Sequence, residues 1–248
     1  IYRKRNKILI LKIHILMKRL FIITLALFCT ACNTDWRRKY DEVYPSQNGI
    51  SMVRKDNKYG LVNAEGTVVA PLKYDYINIY PSAGKPFYDV TINNLYGVIR
   101  PSGEELIPAQ YNFISYSEGV FIVQLNDKKK LLSTNNETLT PWYDEIDLFF
   151  GGLARANKYG YLNTKGKVVL PFVYDDAGDF NDSKKAMVKY KGKWGMIDNL
   201  GNTIIPFEYE QAEPYTKSNE EWEDYYYILI KKGREVNIDK EGNFLSFK

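Results

Sequence analysis

The stretch KWGMIDNLGNTIIP, residues 193–206, places Trp194 directly before Gly195 and ends at Pro206. Three other stretches share this layout: KYGLVNAEGTVVAP at 58–71, LYGVIRPSGEELIP at 95–108 and KYGYLNTKGKVVLP at 158–171. In each of them a second glycine follows the first by six residues, and a proline follows it by eleven. Because one catalytic site is not written four times at a fixed spacing, the stretch is predicted to be a repeated structural module.

Each module extends past its proline to a tyrosine that is usually followed by an acid or an amide. Two further copies are degenerate: residues 128–144 have Lys129-Lys130 where the aromatic residue and glycine are expected, and residues 234–242 keep only Gly242 in register. Cut at the tyrosines, the chain gives six units of 31 to 40 residues, which start at Tyr40, Tyr74, Tyr111, Tyr143, Tyr174 and Tyr209.

This pattern resembles the WG-repeat family of bacterial proteins, which is named for a Trp-Gly pair like Trp194-Gly195. The resemblance extends from Tyr40 to Lys248, with tyrosine in place of tryptophan in three copies. It implies an all-β repeat structure. It implies no established reaction, no cofactor and no catalytic residues.

Each unit is predicted to form three antiparallel strands joined by hairpin turns, because Asn-x-x-Gly and Gly-Asn stand between short apolar runs. In the fifth unit these strands are 185–190, 194–198 and 203–206, with Pro206 ending the last one. The Tyr-acid segment is expected to cross to the next unit as a helical turn capped by the acid. Six such units could close into a propeller-like ring or stack as an open curved array.

The motif aromatics are expected to pack between neighbouring units, and the motif glycines to let a ring or backbone lie close over the strand. The alternative is that the aromatics form an exposed ladder that stacks on sugars. The residues concerned are Tyr59, Gly60, Tyr96, Gly97, Tyr159, Gly160, Trp194 and Gly195.

The N-terminal segment has the layout of an export signal. From Met17, the sequence MKRLFIITLALFCTAC has two basic residues, an apolar run and then small residues up to Cys32. Cys32 is predicted to be the lipidated residue of a bacterial lipoprotein, the alternative being ordinary cleavage after Ala31. The predicted organisation is an upstream extension and signal at 1–32, a short linker at 33–39 and the repeat domain at 40–248.

Cleavage before Cys32 would leave no histidine and no free thiol, since Cys29, Cys32 and His14 are the chain's only such residues. Disulfides, Cys/His zinc sites and histidine-based triads are thereby excluded from the mature chain. The first 31 residues also hold seven basic residues and no acid, so removing them from a net charge of +4 leaves −3. A nucleic-acid surface is therefore not expected.

The acids form one repeated set and one cluster. Asp41, Asp75, Asp144 and Asp175 recur at one repeat position, where they are expected to bind backbone groups. The stretch DDAGDFND at 175–182 concentrates acids but lacks the spacing of a calcium loop, so no metal site is predicted.

Two segments break the repeat and are the predicted binding surface. One is the lysine run, and the other is an insertion at 215–227 that mixes acids and aromatics. The residues singled out are Lys128, Lys129, Lys130, Trp222 and Tyr225.

The sequence favours a non-catalytic binding or scaffolding lipoprotein of the bacterial envelope, anchored at Cys32, that engages a protein partner through its repeat surface. A glycan-binding protein that uses exposed aromatics is the first alternative. A hydrolase with two carboxylates facing one cleft is the second. No cofactor is expected.

Overall fold

A computed structural model describes residues 36–45, 48–79, 87–157, 159–216 and 225–245 of the chain. These residues form 22 β-strands and one short 3-10 helix, η1 (Trp36–Lys39), with no α-helix among them. Of this part of the chain, the residues up to Asn93 and Val98–Glu105 form one compact unit, and Asn94–Gly97 with the residues from Leu106 onward form a second. No helix in the ranges just given is long and apolar enough to span a membrane.

The strands form six tandem sheets of three or four strands, and neighbouring strands are antiparallel in all of the register pairs. The first sheet has the order β1-β2-β3-β4: Glu42–Val43, Ser51–Lys55, Lys58–Val62 and Val68–Tyr74. The second has the order β5-β6-β7-β8: Tyr76–Asn78, Tyr88–Ile92, Leu95–Ile99 and Glu105–Tyr111.

The third and fourth sheets have three strands each. The third has the order β11-β10-β9, with β9 at Phe113–Ser117, β10 at Val120–Leu125 and β11 at Lys128–Ser133. The fourth has the order β12-β13-β14: Leu153–Ala156, Gly160–Asn163 and Val168–Leu170. Isolated bridges such as Lys129↔Tyr143 and Ile146↔Ala156 stand where the other sheets have a further strand.

The last two sheets have four strands again. The fifth has the order β15-β16-β17-β18: Asp176–Ala177, Lys185–Tyr190, Lys193–Asp198 and Thr203–Tyr209. The sixth has the order β19-β20-β21-β22: Gln211–Thr216, Tyr225–Lys231, Arg234–Asp239 and Phe244–Leu245. The all-β prediction and the number of units are therefore confirmed.

The Tyr-acid pair is the boundary between sheets. Tyr74 ends β4 and Tyr76 begins β5, with Asp75 between them. The expected helical turn after this pair is wrong, because the chain stays extended and joins the next ladder: the Asp75 backbone N–H donates to the Thr91 carbonyl at 2.9 Å. A strand at this place occurs in five of the six sheets, as β1, β5, β9, β15 and β19. The third sheet has isolated bridges in place of its last strand, and the fourth has them in place of this first one.

The prediction that proline ends the strand is also wrong in the fifth unit. Strand β18 continues through Pro206 to Tyr209. Trp194 pairs with Tyr209 and Met196 with Ile205, so Gly195 alone lies opposite residues 206–208. The proline thus lies in a β-bulge, where the missing N–H costs no ladder hydrogen bond. Strands β3 and β4 have the same bulge at Pro71, whereas β14 does end before Pro171.

The cores lie between consecutive sheets. One cluster joins Met196 and Ile205 of the fifth sheet to Leu229 and Ile238 of the sixth. Another joins Leu61 of the first sheet to Val90 of the second. Since one sheet cannot bury its own apolar face, these shared clusters are what holds successive units together. Trp36, in the segment expected to be a linker, is also buried, beside Val53 and Val62.

The second glycine of each module brings a hairpin turn close to the preceding unit. Gly103 has a φ of 86°, and a Cβ added there would lie 1.9 Å from the Val69 carbonyl oxygen. This conformation and this approach both require the absence of a side chain. In the third unit the position holds Asn136, with a φ of 66°, because asparagine tolerates the left-handed region better than most residues.

Candidate functional site

The motif aromatics differ in exposure. Tyr59, Tyr159 and Trp194 are half-buried, and each packs on one of the core clusters. Tyr96 is 39% exposed. Three of these rings therefore pack as the core interpretation expects, and the fourth is open to solvent.

The motif glycines face the neighbouring strand of their own sheet. A Cβ on Gly195 would lie 2.6 Å from the Ile205 carbonyl oxygen and 2.8 Å from the Phe207 ring. Similar approaches, at 2.8 Å or less from a backbone atom, occur at Gly60, Gly97 and Gly160. Each glycine thus admits the bulged strand beside it. The motif spacing follows from this local geometry.

The lysine run is engaged within the protein. The Lys128 ammonium forms a salt bridge with Asp144, and the Lys129 Nζ lies 2.5 Å from a Glu145 carboxylate oxygen. The Lys130 Nζ lies 4.6 Å from the centroid of the Trp142 ring. The structure therefore places these three cations on partners of the third and fourth units.

The other predicted surface residues cannot be placed in the same way. Trp222 and Cys32 lie outside the described residues. The Tyr225 backbone begins β20, but its side chain is also outside what the structure describes.

The repeated acids bind backbone at hairpin turns. An Asp75 carboxylate oxygen accepts from the Asn93 N–H at 2.6 Å, and Asp175 accepts from Gly192 at the same distance. Asp41 accepts from the Asp56 N–H at 2.9 Å. Asp144 differs, because its own N–H donates to the Asn157 side chain at 2.9 Å. Among the described residues, no group of three or more His, Cys, Asp or Glu could hold a metal ion.

A groove between the fourth, fifth and sixth units combines an apolar lining with acids, and we call it the Trp194 groove. Its volume is about 580 Å³. The apolar lining is Phe150, Ala177, Gly178, Phe180, Met187, Trp194, Ala212, Pro214 and Tyr227. The polar lining is Asp176, Asp179, Asn181, Asp182 and Lys240. Phe150 is 49% exposed.

The loop that carries the acids is anchored on both sides. The Asn181 side-chain amide donates to the Lys240 carbonyl at 2.7 Å, and the Ser183 hydroxyl donates to Glu241 at 2.8 Å. The Tyr161 hydroxyl donates to the Gly178 carbonyl at 2.6 Å. The acids of the groove are thus held in a fixed loop, so little ordering is needed when a ligand binds.

The electrostatics of the groove favour a cation. None of Asp176, Asp179 and Asp182 forms a salt bridge with any residue the structure describes. Partial desolvation by the surrounding residues raises the pKa of Asp179, although its side chain reaches the surface. The positive charge of Arg155 opposes this rise, and the negative charge of Asp147 adds to it. A cation placed beside Asp179 would favour its charged form.

The sequence singled out some residues of this groove, but it did not predict that they come together. It singled out Trp194 as a packing residue and 175–182 as an acidic loop. Phe150 and Pro214 carried no signal, because both lie far along the chain from Trp194 and join it only when successive sheets pack.

Comparison with known proteins identifies the repeat. A family model described as a WG containing repeat matches residues 38–59, 59–96, 96–128, 159–194 and 194–233. Among curated proteins, none matches the sequence of this chain.

Solved structures show only distant similarity. The chain is similar to Hsv2p of Kluyveromyces lactis, with 7% identity, 81% of this chain and 75% of that chain covered, and a TM-score of 0.36. It is also similar to a eukaryotic initiation factor, with 13% identity, 80% and 62% covered, and a TM-score of 0.39. For the WD40 β-propeller domain of Doa1 the values are 12% identity, 84% and 82% covered, and a TM-score of 0.30. All three scores are below 0.5, so nothing about this chain rests on these similarities.

Proposed function

The chain belongs to the WG-containing repeat family, and on that premise we propose that it is a non-catalytic binding protein of the bacterial envelope. In this proposal it is lipid-anchored at Cys32, and it engages a protein partner through the Trp194 groove. The anchor is supported by the layout of residues 17–32. The partner site is supported by one observation, an apolar groove whose aspartates have no salt bridge to a described residue.

The occupant is a protein segment that carries a basic side chain beside apolar residues. The groove's lining carries three carboxylates and one ammonium group, that of Lys240, so its charge favours a cation. Its apolar wall suits the aliphatic stem of lysine or arginine and a neighbouring apolar side chain. Well-packed grooves around an aromatic residue are where interface energy concentrates.

The absence of catalysis is part of this proposal, and the carboxylates support it. Glu145 and Asp147 lie in one cavity, but Lys129 and Arg155 form salt bridges with them at 2.5 and 2.6 Å. A glycosidase pair needs one carboxyl group that is placed to protonate the leaving group, whereas both of these carboxylates are paired with cations inside the protein.

Groove variants provide the test. The chain from Asn33 onward is cross-linked to envelope extract, the captured protein is identified, and its affinity is then measured with purified components. Asp176→Asn with Asp182→Asn should weaken that affinity about tenfold or more at low salt, and the difference should shrink at high salt.

Asp127→Asn is the matched control, because Asp127 is an exposed aspartate in the turn between β10 and β11. It should leave the affinity unchanged. A partner that binds the double variant as tightly as the wild type at both salt concentrations would rule out the Trp194 groove as its site.

A further inference from the structure

A second cavity, separate from the Trp194 groove, has a polar lining, and we call it the polar cavity. Its volume is about 660 Å³, within the range of about 300–1,000 Å³ found for small-molecule sites. Six residues of its lining are Glu145, Asp147, Arg155, Asn157, Tyr159 and Tyr174. All six belong to the second compact unit.

The charged groups of this cavity are engaged within the protein, and Asp175, which also lines it, accepts the Gly192 N–H at 2.6 Å. The Arg155 Nε donates to an Asp147 carboxylate oxygen at 2.6 Å, and another guanidinium N–H donates to the Ala177 carbonyl. Burial disfavours the charged form of Arg155, but Asp147 outweighs it and the pKa of the guanidinium is raised. Glu145 is held by Lys129. A charged ligand would compete with these pairs, so the cavity suits a neutral one.

The cavity also presents hydrogen-bonding groups that have no partner among the residues the structure describes. The Asn157 side-chain oxygen accepts from the Asp144 N–H, which leaves the amide NH₂ group without an acceptor there. The hydroxyl groups of Tyr159 and Tyr174 have no hydrogen bond to a described residue. Hydroxyls both donate and accept, whereas the amide NH₂ group only donates, so the set fits a ligand that does both.

Tyr159 has a backbone conformation that the other motif aromatics do not share. Its φ is 46°, and its N–H donates to the Asn157 carbonyl at 2.8 Å. Tyr59, Tyr96 and Trp194 are not in this region. A positive φ is uncommon for a bulky residue and stores backbone strain, which is found most often at functional sites. Here the ring lies 6.0 Å from the Arg155 guanidinium carbon, at the cavity.

We propose that the polar cavity binds a neutral saccharide unit. A sugar ring has an apolar C–H face, which stacks on Tyr159, and a rim of hydroxyls that donate and accept. The Asn157 amide would donate to one hydroxyl, and the free oxygen of Glu145 would accept from another. This site is separate from the proposed protein site, because no residue lines both the polar cavity and the Trp194 groove.

The test uses the purified full chain titrated with N-acetylglucosamine, its β-1,4-linked trimer and maltotriose, with calorimetry and tyrosine fluorescence as readouts. At least one of these sugars should bind with a dissociation constant of roughly 1 mM or tighter, which corresponds to about −4 kcal/mol. Glucosamine, which is cationic, should bind no better than N-acetylglucosamine. The absence of binding by all three neutral sugars, or preference for glucosamine, would overturn the proposal.

Two variants link binding to the cavity. Asn157→Asp keeps the oxygen that accepts from Asp144 but removes the NH₂ donors, and should weaken binding at least about tenfold, the scale of one lost hydrogen bond to an unpaired group. Tyr159→Ala should abolish the fluorescence response. Tyr76→Phe, at an exposed tyrosine of the first compact unit, is the control and should bind as the wild type does.

Circular dichroism confirms that each variant is folded. Sugar affinity unchanged in both Asn157→Asp and Tyr159→Ala would contradict the assignment. Asp176→Asn with Asp182→Asn should leave sugar binding intact, so failure of this proposal and failure of the protein-partner proposal are distinguishable.

Discussion

At the scale of single residues, the motif position requires glycine because the neighbouring strand of the same sheet lies too close for a side chain. Gly195→Ala would place a Cβ 2.6 Å from the Ile205 carbonyl oxygen, so the bulged strand must move. We expect the free energy of unfolding to fall by about 1–3 kcal/mol, as for other overpacked sites. Urea denaturation measures this change.

Gly178→Ala is the control for that variant. Its added Cβ would meet nothing closer than the Met187 carbonyl oxygen at 3.4 Å. A loss of stability equal to that of Gly195→Ala would show that close approach is not the reason for the motif glycine.

Thr140 shows how one unit manages without that glycine. In the third unit Lys130 takes the glycine position, and the residue before the proline is Thr140 where the intact units have alanine, isoleucine or leucine. The Thr140 side chain is buried, and its hydroxyl oxygen accepts from the Leu131 N–H at 3.0 Å. The hydroxyl therefore bridges to the strand that carries a lysine side chain at the glycine position.

Thr140→Val should lower the free energy of unfolding by about 1–3 kcal/mol, because it leaves the buried Leu131 N–H without its acceptor. Thr138→Val, at an exposed threonine of the same segment, should change it far less. Thermal melts of both variants compare the two. Equal melting temperatures for Thr140→Val and the wild type would remove this role for the hydroxyl.

At the scale of elements, the repeated acid links one sheet to the next. Asp75 pairs with Lys58 of β3 and accepts the Asn93 N–H from the turn between β6 and β7. Glu210 makes the same two contacts, with Lys193 of β17 at 2.9 Å and the Lys232 N–H at 2.8 Å. One carboxylate thus joins the motif lysine of one unit to the hairpin of the following unit.

This link predicts a pH dependence. The hydrogen bond from Lys58, and then that from Asn93, hold the pKa of Asp75 below its usual value. A lowered folded pKa gives stability that is present above the unfolded pKa, about 3.9, and is lost as pH falls through the folded value. The stability difference between wild type and Asp75→Asn should therefore be largest above about pH 4 and vanish at lower pH.

Asp75→Ala should instead stay less stable than the wild type at every pH, because it also loses the acceptor for the Asn93 N–H. Asparagine keeps that acceptor, as Asn112 does for the Asn126 N–H at 3.0 Å. Denaturant unfolding between about pH 2 and 7 measures these differences. A constant gap between wild type and Asp75→Asn would contradict the assigned pKa direction as the cause.

The third unit tests whether the motif works as a set. From sequence alone, Lys129→Tyr with Lys130→Gly is expected to raise stability, because restoring a repeat consensus commonly adds about 0.5–2 kcal/mol. In the structure Lys129 forms a salt bridge with Glu145, and the Thr140 hydroxyl lies between the two strands, where it accepts from the Leu131 N–H. We now expect no gain from the double change, and a gain of that size only when Thr140→Ile is added. A gain from the double change alone would mean that Thr140 does not constrain the unit.

The sheet boundaries could be predicted from sequence, and the number of strands could not. The Tyr-acid pair occurs in nearly every unit, so dividing the chain at these pairs gives the six sheets. Strand β5, at Tyr76–Asn78, is too short to carry a period-two pattern, and its pairing depends on a partner strand later in the chain. Pro206 was misread because a bulge opposite Gly195 has no local signal beyond the glycine itself.

At the scale of the whole molecule, the anchor is the prediction that bears on location. If Cys32 is lipidated, Cys32→Ser should release the protein from membranes or block its maturation. The reason is that each methylene group of a lipid chain contributes about 0.8 kcal/mol to the free energy of membrane binding. Membrane fractionation and the mass of the mature N-terminus measure both outcomes. Wild-type mature protein found in the soluble fraction with an unmodified residue 32 would contradict the lipoprotein assignment.

Single residues of the candidate sites could be predicted from the sequence, but their arrangement in space could not. The lysine run was predicted to be part of a binding surface, and its contacts with Asp144, Glu145 and Trp142 could not be predicted, because all three follow the next proline in the chain. The Trp194 groove and the polar cavity draw residues from successive units, and that convergence is created by packing between sheets. Of the motif aromatics, only the backbone of Tyr159 departs from the repeat, and no residue type in KYGYLN reveals it.

The Tyr-acid boundary has a consequence for how such chains change in length. Because each sheet is built from one unbroken run of sequence, a recombination event between the codons of two Tyr-acid pairs inserts or deletes a complete sheet. The junction would be functional at once, since the lysine on one side meets an acid on the other, as Lys58 meets Asp75 and Lys193 meets Glu210. A break anywhere else would divide a ladder. A change in copy number would therefore occur in whole units, provided that the lysine and the acid at each new junction can pair.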